Sequence, residues 1–498
     1  MAGLSRAPVA NRRAWGIAAT PNAQNAATSS PPPEGARGAR SHRADAAQEG
    51  ASTGPEPEEV PGIDVLVGML CYATRAEGIG GRLRAEPSDF IVRERLLDGS
   101  IADERFPGKG LSGSGGFLRC ILVKANVDHF SAIELAAKAM GCKPRDVGFA
   151  GIKDKRALTA QFVTFPAEGV RAKGADVKAI DGVRVIPEAF VGDRLRPGSS
   201  AGNFFEIRVR DPRPDRMDPM EALEELDALG GAPNFYGYQR FGTVRPITHI
   251  VGRALAKGDL WGALMEFLAR PFEGEPPDAF SARMELYEGG DFAKALSAYP
   301  RRLRFERIAL RALNRNPSDP LGAFRRLPHG LRRLFVEAYQ SYLFNRVLSE
   351  RIRRGLGLQF VEEGDLVSPL AADGLPQGEP EPVRDPEAAN LAIEEGRACL
   401  VIPVFGYAVR LSEGAQGEIE REILREEGIS LKSFYIGAMP EASCAGKYRR
   451  ALLPITDLRC ERLGEGDLKF KFFLTREGYA TAVMRELIKP EDPAGQGF

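Results

Sequence analysis

The chain has 498 residues, 43% of them hydrophobic, and its 68 Lys and Arg are balanced by 68 Asp and Glu, so the formal net charge is zero. This length accommodates about one to three domains, the apolar runs are too short to cross a membrane, and the zero net charge weakens the case for a nucleic-acid-binding protein without removing it. Six scattered cysteines without a C-x-x-C motif and four isolated histidines indicate free thiols in a reducing compartment and argue against a zinc site.

Residues 1–62 are predicted to be a disordered, low-complexity tail. They are rich in Ala, Pro, Ser, Gly and Arg, and they nearly lack the large apolar side chains that would offset the entropy of ordering. An Arg-rich, Ser-containing and acid-poor segment is also typical of an organelle transit peptide. No amphipathic apolar face is evident, so we favour a cytoplasmic protein whose tail is disordered or whose start codon is assigned too far upstream.

Order is predicted to begin near Ile63, and the first motif is RAEPSDFIVRE at residues 84–94. Its alternation of apolar and polar residues predicts a strand over residues 90–94, with Phe90 on the buried face. The glycine-rich segment 108–116 lacks the ending of a phosphate-binding loop and is predicted to be a flexible loop.

The segment 117–141 is predicted to be a strand followed by a helix. The strand covers residues 117–124, Asp128 caps the helix, and Gly141 ends it. His129 is expected to share the cap or to lie at the surface. The predicted apolar face of the helix consists of Phe130, Ile133, Ala137 and Met140.

The stretch GFAGIKDKRALTAQ at residues 148–161 is predicted to be a short strand, a glycine turn, a charged loop and a second strand over 161–165. One carboxylate, Asp154, lies among the cations Lys153, Lys155 and Arg156. Nearby cations favour an ionised carboxylate, and an anionic carboxylate on a loop can act as a nucleophile. From the charge pattern alone, a solvated turn with local ion pairs remains the simpler explanation.

Further strands are predicted over 183–190 and 203–210, followed by a helix over 219–229 whose glutamates Glu221, Glu224 and Glu225 face water. The next motif, PNFYGYQRFG at residues 233–242, interleaves aromatics with polar residues. Aromatic rings stack on unpaired bases, Asn can bond to a base edge and Arg can hold a phosphate, which points to RNA.

From about residue 259 to 429 the composition is helical and charged. A helix is predicted over 331–354, with core positions at Tyr339, Leu343 and Phe344. The chain then returns to strands, including 468–474, and a last helix begins near residue 478. The adjacent pair Arg449 and Arg450 could hold phosphate, although such a pair is more often simply at the surface.

Five separated motifs between residues 84 and 487 resemble, in the same order, those of the TruD family of tRNA pseudouridine synthases. All fixed positions of the family signature are present at residues 148–161. Two positions depart from the common pattern. Arg84 stands where the family usually has Lys, a change that keeps a phosphate contact but not proton transfer, and His129 stands where the family commonly has Thr. Tyr236 occupies a position that is Phe in some members.

The resemblance implies an α/β (α+β) fold with a mixed, largely antiparallel catalytic sheet. It divides the chain into a catalytic domain at 63–258 and 433–490, an inserted α/β TruD domain at 259–432 and a tail at 491–498. We expect a monomer that holds RNA in the cleft between the two domains.

The resemblance also implies the activity: isomerisation of a uridine in tRNA, uridine-13, to pseudouridine, without metal or cofactor. Asp154 would be the nucleophile, attacking either C1′ of the ribose or C6 of the uracil. The residues implied to bind the substrate are Phe90, Asn234, Tyr236, Tyr479, Arg84, Lys153, Gln239 and Arg240.

Two alternatives come from other classes. One is a non-catalytic RNA-binding or RNA-chaperone protein on the same fold, which the intact Asp154, Asn234 and aromatics argue against. The other is a hydrolase of the N-glycosidic bond, which would need a second carboxylate, and the matched motifs contain none. The RNA partner is tRNA, with other RNA left open.

Overall fold

A computed structural model describes residues 59–108, 111–168, 178–216, 218–464 and 466–498. Most of the predicted tail at residues 1–62 and part of the predicted glycine-rich loop, residues 109 and 110, therefore lie outside the described residues. Among the described residues, no helix has both the length and the apolar character needed to cross a membrane.

The first half of the chain supplies most of a mixed sheet. Numbered in chain order, its strands are β1 (Phe90–Leu96), β2 (Ser112–Gly113), β3 (Phe117–Ala125), β4 (Gly148–Phe149), β5 (Leu158–Pro166), β6 (Lys178–Ile180), β7 (Val183–Val191), β8 (Ser200–Val209), β15 (Thr456–Arg462) and β16 (Leu468–Thr475). The main path runs β15-β16-β8-β1-β5-β3-β7-β2, with β4 paired to β5 and β6 to β7.

This sheet is largely antiparallel, as the family resemblance implies. The two parallel pairs within the described chain are β1 with β5 and β2 with β7. The register Val92↔Phe205 and Phe472↔Phe205 stacks large apolar residues across β1, β8 and β16. Their burial explains why these strands read as alternating apolar and polar residues in the sequence.

Helices dominate the middle of the chain. Before and within it lie α1 (Gly62–Leu66), α2 (His129–Met140), α3 (Met220–Ala228), α4 (Thr248–Ala256), α5 (Leu260–Ala269), α6 (Pro277–Gly289), α7 (Phe292–Ala298), α8 (Arg304–Arg315), α9 (Pro320–Arg325), α10 (His329–Arg353), α11 (Pro386–Glu394) and α12 (Gly414–Glu427), and α13 (Ala480–Ile488) follows the last strand. Tyr339, Leu343 and Phe344 of α10 are fully buried, which confirms their predicted place in the core.

A second sheet lies beside α10. Its strands are β10 (Leu366–Pro369), β11 (Glu381–Pro382), β12 (Ala398–Val404) and β13 (Lys447–Arg450), in the order β11-β10-β12-β13. Two short strands, β9 (Ala232–Pro233) and β14 (Leu452–Leu453), form a separate antiparallel pair. The pairing of β12 with β13 places Val404 opposite Lys447.

The helix α2 begins and ends where its capping residues predict. Asp128 accepts a hydrogen bond from the Ser131 amide at 3.0 Å, and Gly141 takes a left-handed φ of +74°. The predicted face is wrong at one position, because Phe130 is 59% exposed. His129 instead is buried between the rings of Phe130 and Phe149, and this burial lowers its pKa to about 4.

The helix α3 also differs from the prediction at one residue. Glu221 and Glu224 are exposed, but Glu225 is half-buried and accepts a hydrogen bond from the backbone amide of Arg75 at 2.6 Å. This hydrogen bond from a backbone amide stabilises the charged carboxylate. Glu225 therefore faces the protein as well as water.

Residues 491–498, predicted to be a tail, pack against the start of the ordered chain. Phe498 is 2% exposed and meets the ring of Tyr238 edge-on, and Gln496 donates a hydrogen bond to the Gly81 carbonyl at 2.6 Å. The same region holds a buried ion pair between Arg485 of α13 and Asp64 of α1 at 2.5 Å. The two ends of the described chain therefore meet in one core.

Candidate active site

The charged loop between β4 and β5 is held from beneath by buried polar groups. The side-chain amide of Gln161 donates to the Gly151 carbonyl at 3.2 Å, and the fully buried Lys124 of β3 donates to the Asp154 carbonyl. The Asp154 carboxylate itself is 48% exposed. The loop thus presents a carboxylate to solvent from a fixed backbone.

Lys153 points into the protein from the same loop. Its ammonium donates to Glu94 Oε1 at 2.7 Å, and both side chains are buried. The other Glu94 oxygen accepts from the Phe162 amide at 3.0 Å. Lys153 lines the cavity in front of Asp154, but its ammonium is already paired with Glu94. It therefore does not form the ion pair with Asp154 that the charge pattern suggests.

The cation that pairs with Asp154 is Arg84, from the first motif. Its Nη2 lies 3.2 Å from Asp154 Oδ2, and its Nη1 donates to the Gly497 carbonyl at 2.9 Å. The guanidinium carbon also lies 4.0 Å from the centre of the Phe90 ring. Burial lowers the pKa of Arg84, and the Asp154 charge partly opposes that effect.

Backbone geometry fixes Arg84 in this position. Its φ of +53° is left-handed, which a non-glycine residue adopts only when its surroundings enforce it. Gly497 also has a left-handed φ of +86°, and a Cβ there would lie 2.1 Å from the Leu83 carbonyl oxygen. The close approach of these two segments therefore requires glycine at position 497.

Aromatic residues form the wall opposite the carboxylate. The rings of Tyr236 and Tyr479 lie 6.1 Å apart at 61°, and the Arg449 guanidinium lies 4.3 Å from the centre of the Tyr236 ring. The Tyr236 amide donates to Asn345 Oδ1 of α10 at 2.8 Å. Burial raises the pKa of Tyr479. Both rings line the cavity and offer aromatic surface to a planar base.

Asn234 is engaged by the protein at both ends of its amide. Its Oδ1 accepts from Arg449 Nη2 at 2.5 Å, and its Nδ2 donates to the Arg450 carbonyl at 3.0 Å. The residue is 3% exposed, and the cavity wall at this point consists of Tyr236 and Arg449. Its side chain therefore contacts Arg449 and does not line the cavity among the described residues.

Gln239 and Arg240 lie on the side of the cavity formed by α10 and α13. Arg240 donates to Glu337 at 3.1 Å and to Ser341 at 3.2 Å, both on α10. Gln239 Oε1 accepts from the Thr481 hydroxyl at 3.3 Å. Both residues reach the cavity, as do the predicted residues Arg84, Phe90, Lys153, Asp154, Tyr236 and Tyr479.

The cavity itself has a volume of about 570 Å³, within the range of roughly 300–1,000 Å³ typical of small-ligand sites. Its walls come from the large sheet, from α10 and from the β12–β13 edge. Two glutamates, Glu337 and Glu477, also line it, and each is ion-paired, with Arg333 and Lys447 respectively. In the part of the chain that the structure describes, no three acidic, His or Cys side chains group as metal ligands would.

Sequence reasoning missed two residues of the site. Arg449, for which the sequence left a phosphate contact or an ordinary surface position open, is 1% exposed and contacts both Asn234 and Tyr236. Lys124 was assigned only to a strand. A lysine on the inward face of a central strand indicates a buried polar site, because a buried ammonium needs a specific partner.

Comparison with known proteins gives a consistent result. A family model described as tRNA pseudouridine synthase D (TruD) matches residues 66–487. A protein of Methanopyrus kandleri named probable tRNA pseudouridine synthase D is 42% identical over 380 residues, covering 76% of this chain and 87% of that protein. A protein of the same name from Methanosarcina acetivorans is 36% identical over 447 residues, covering 87% of this chain and 98% of that protein.

A solved structure matches as well. The crystal structure of a putative tRNA pseudouridine synthase D from Methanosarcina mazei superposes with a TM-score of 0.74 at 33% identity. The match covers 88% of this chain and 100% of that one. The mixed sheet and the helical middle region are therefore shared with a structure determined by experiment.

Proposed function

The chain belongs to the TruD family of tRNA pseudouridine synthases, an isomerase family, and we propose on that premise that it converts uridine-13 of tRNA to pseudouridine with Asp154 as nucleophile. The observation that carries this proposal is the half-exposed Asp154 carboxylate, which Arg84 pairs at the mouth of a cavity walled by tyrosines. A fixed carboxylate at a cavity lined by aromatic rings suits attack on a nucleoside.

The reaction breaks the bond between uracil and ribose C1′, turns the base and rejoins it through C5. The target nucleotide must first leave its stack, at a cost of a few kcal/mol. Tyr236 and Tyr479 would then hold the base, and the buried Arg84 would keep the carboxylate aimed at it. Attack at C1′ and attack at C6 are both consistent with this arrangement.

The RNA would lie across the part of the chain assigned to two domains. Cavity residues come from the first segment, such as Asp154, from the middle region, such as Arg333, and from the last segment, such as Lys447. Cations at the rim favour a phosphate backbone even though the whole chain has no net charge. The division at residues 259 and 432 remains a prediction.

The proposal is tested with the purified chain and a tRNA transcript. We expect pseudouridine at position 13 and no free uracil, and we expect Asp154→Asn to form none while binding tRNA within about threefold of wild type. Asp146→Asn, a change of a surface aspartate that is 42% exposed, is the matched control and should be fully active.

Each alternative has its own outcome. Free uracil would indicate a hydrolase, and the cavity carboxylates Glu337 and Glu477 would then be tested as the second carboxylate. Tight tRNA binding without turnover by the wild type would indicate the non-catalytic RNA-binding protein. Appreciable pseudouridine formation by Asp154→Asn would remove Asp154 from the mechanism.

A further inference from the structure

Two exposed tyrosines contact each other on the outer side of the cavity wall. Tyr407, which follows β12, is 47% exposed, and Tyr435, which follows the turn Leu431–Phe434, is 57% exposed. Their ring centres lie 5.9 Å apart at 85°. We call these two residues the tyrosine pair. They are far apart in the sequence, so the fold brings them together.

The tyrosine pair is attached by its backbone to residues that line the cavity. The Tyr407 amide donates to the Cys444 carbonyl at 3.2 Å, and the next amide, of Ala408, donates to the Ala445 carbonyl at 2.9 Å. The Cys444 amide in turn donates to the carbonyl of Phe434, next to Tyr435, at 3.0 Å. Cys444 and Ala445 form part of the cavity wall. One layer of backbone therefore separates the tyrosine pair from the cavity.

Close packing stiffens this connection. A Cβ added at Gly406 would lie 2.1 Å from the Gly446 amide nitrogen, so the turn before Tyr407 lies directly on the wall segment. Phe434 and Cys444 are themselves buried. The two rings are thus presented to solvent from a rigid support, which limits the entropy lost when a ligand stacks on them.

Cations lie along the same stretch of wall. Arg333 and Lys447 both line the cavity, and their side chains are 52% and 51% exposed. The neighbouring Glu337 is the largest cause of the raised pKa of Arg333, and Tyr407 is among the smaller ones, so the guanidinium and the tyrosine pair are electrostatic neighbours. Exposed aromatic rings next to cations favour single-stranded nucleic acid, whose bases stack and whose phosphates need positive charge.

We propose that the tyrosine pair stacks with an unpaired nucleobase of the substrate RNA, adjacent to the uridine held in the cavity. The inference rests on the proposed function and extends it, because it assigns the flanking nucleotide a site outside the catalytic cavity. Stacking tolerates any base, so this site contributes affinity and register with little sequence preference.

The test compares variants that remove the rings with variants that keep them. We expect Tyr407→Ala and Tyr435→Ala each to raise the Kd for tRNA on the order of tenfold while the single-turnover rate at saturating tRNA stays within about twofold. Tyr407→Phe and Tyr435→Phe should bind like wild type. Tyr287→Ala removes a tyrosine that is 67% exposed on α6, which does not line the cavity, and is the matched control.

A second arm identifies the base. tRNA transcripts that carry a single abasic nucleotide at each position flanking the target are bound to wild type and to Tyr435→Ala. We expect one position at which the abasic change weakens binding to wild type about tenfold but adds little in the variant. Thermal melting of each variant shows whether it is folded, and the abasic series on the wild type needs no variant.

The outcomes separate the two proposals. If the wild type forms pseudouridine and the alanine variants bind tRNA like wild type, the stacking site is refuted and the proposed function stands. The same holds if every abasic position weakens binding equally in the wild type and in Tyr435→Ala. If the wild type forms no pseudouridine, the proposed function fails, and the tRNA affinities of the tyrosine variants still decide whether the pair stacks on RNA.

Discussion

Arg84 donates a hydrogen bond to Asp154 across 3.2 Å although 70 positions separate the two residues in the chain. The three cations that neighbour Asp154 in the sequence are turned elsewhere: Lys153 pairs with Glu94, while Lys155 and Arg156 are exposed. The charge that positions the proposed nucleophile therefore comes from the first motif, and the carboxylate keeps its exposed side free for the substrate.

The first prediction concerns this pair. Arg84→Gln removes the fixed charge beside Asp154, and we expect the single-turnover rate to fall at least about 100-fold, as for other preorganised electrostatic contacts. Arg82→Gln, which removes an exposed arginine paired with Asp211 at 2.6 Å, should change the rate less than about twofold. An Arg84→Gln enzyme with wild-type rate would mean that the pair does not position the carboxylate.

The second prediction concerns pH and Lys124. Burial lowers the pKa of Lys124 from 10.5 to about 8, the Asp154 and Asp128 charges oppose that effect, and Lys153 adds to it. Above pH 8 the folded protein releases this proton while the unfolded chain still binds it, so the contribution of Lys124 to the free energy of unfolding rises with pH. Activity should fall over the same range, because the Asp154 carbonyl loses its charged donor.

Urea unfolding of wild type and Lys124→Met between pH 7 and pH 10 measures this effect. The free energy of unfolding of wild type minus that of the variant should increase with pH, whereas the exposed-site control Lys138→Met should show a constant difference. A difference that decreases with pH would show that Lys124 has a raised pKa instead.

The third prediction separates the ring of Tyr236 from its hydroxyl. Within the residues that the structure describes, the ring packs under Arg449 and beside Tyr479, and the hydroxyl has no hydrogen-bond partner. Tyr236→Phe should therefore stay within about threefold of wild type in single-turnover kinetics, while Tyr236→Ala should lose stacking worth about 1–3 kcal/mol. Equal damage by both changes would give the hydroxyl a chemical role.

The fourth prediction concerns Arg449, which lines the cavity and contacts Asn234 and Tyr236. Arg449→Met leaves the Asn234 side-chain and backbone oxygens and the Glu477 carbonyl without their donor, and we expect a loss of about 3 kcal/mol in the free energy of unfolding. Asn234→Ala should be less costly. The double variant should lose less than the sum, which urea unfolding of all four proteins measures; strict additivity would show that the two residues act separately.

The fold was predictable where local patterns have a single solution. The strands β1 and β16 were located from alternation and the ends of α2 from its capping residues, whereas the strand predicted over 161–165 covers only part of β5. The face of α2 was not, because Phe130 and His129 are adjacent and only tertiary contacts decide which is buried. The packed segment 491–498 was also missed, since a short stretch with a single large apolar residue, Phe498, carries no periodic signal.

The sequence motifs predicted which residues belong to the site, but they did not predict which of these residues contact one another. Arg84, Asp154, Tyr236 and Tyr479 were each identified, and the structure brings them to one cavity. That Arg84 pairs with Asp154, and that Arg449 holds Asn234, depends on which segments the fold sets side by side. No spacing rule relates residues 215 positions apart, as Asn234 and Arg449 are.

The pairing of β8 with β16 has a consequence for folding during synthesis. The ion pair Arg208–Asp467 links the two strands across 259 positions, and Arg485 reaches Asp64 across 421. At a ribosomal rate of about 5–20 residues per second, β16 is synthesised about 13–50 s after β8. During that interval the backbone N–H and C=O groups along the edge of β8 that pairs with β16 have no strand partner there. Its yield on expression should therefore depend on temperature and chaperone supply more than its final stability suggests.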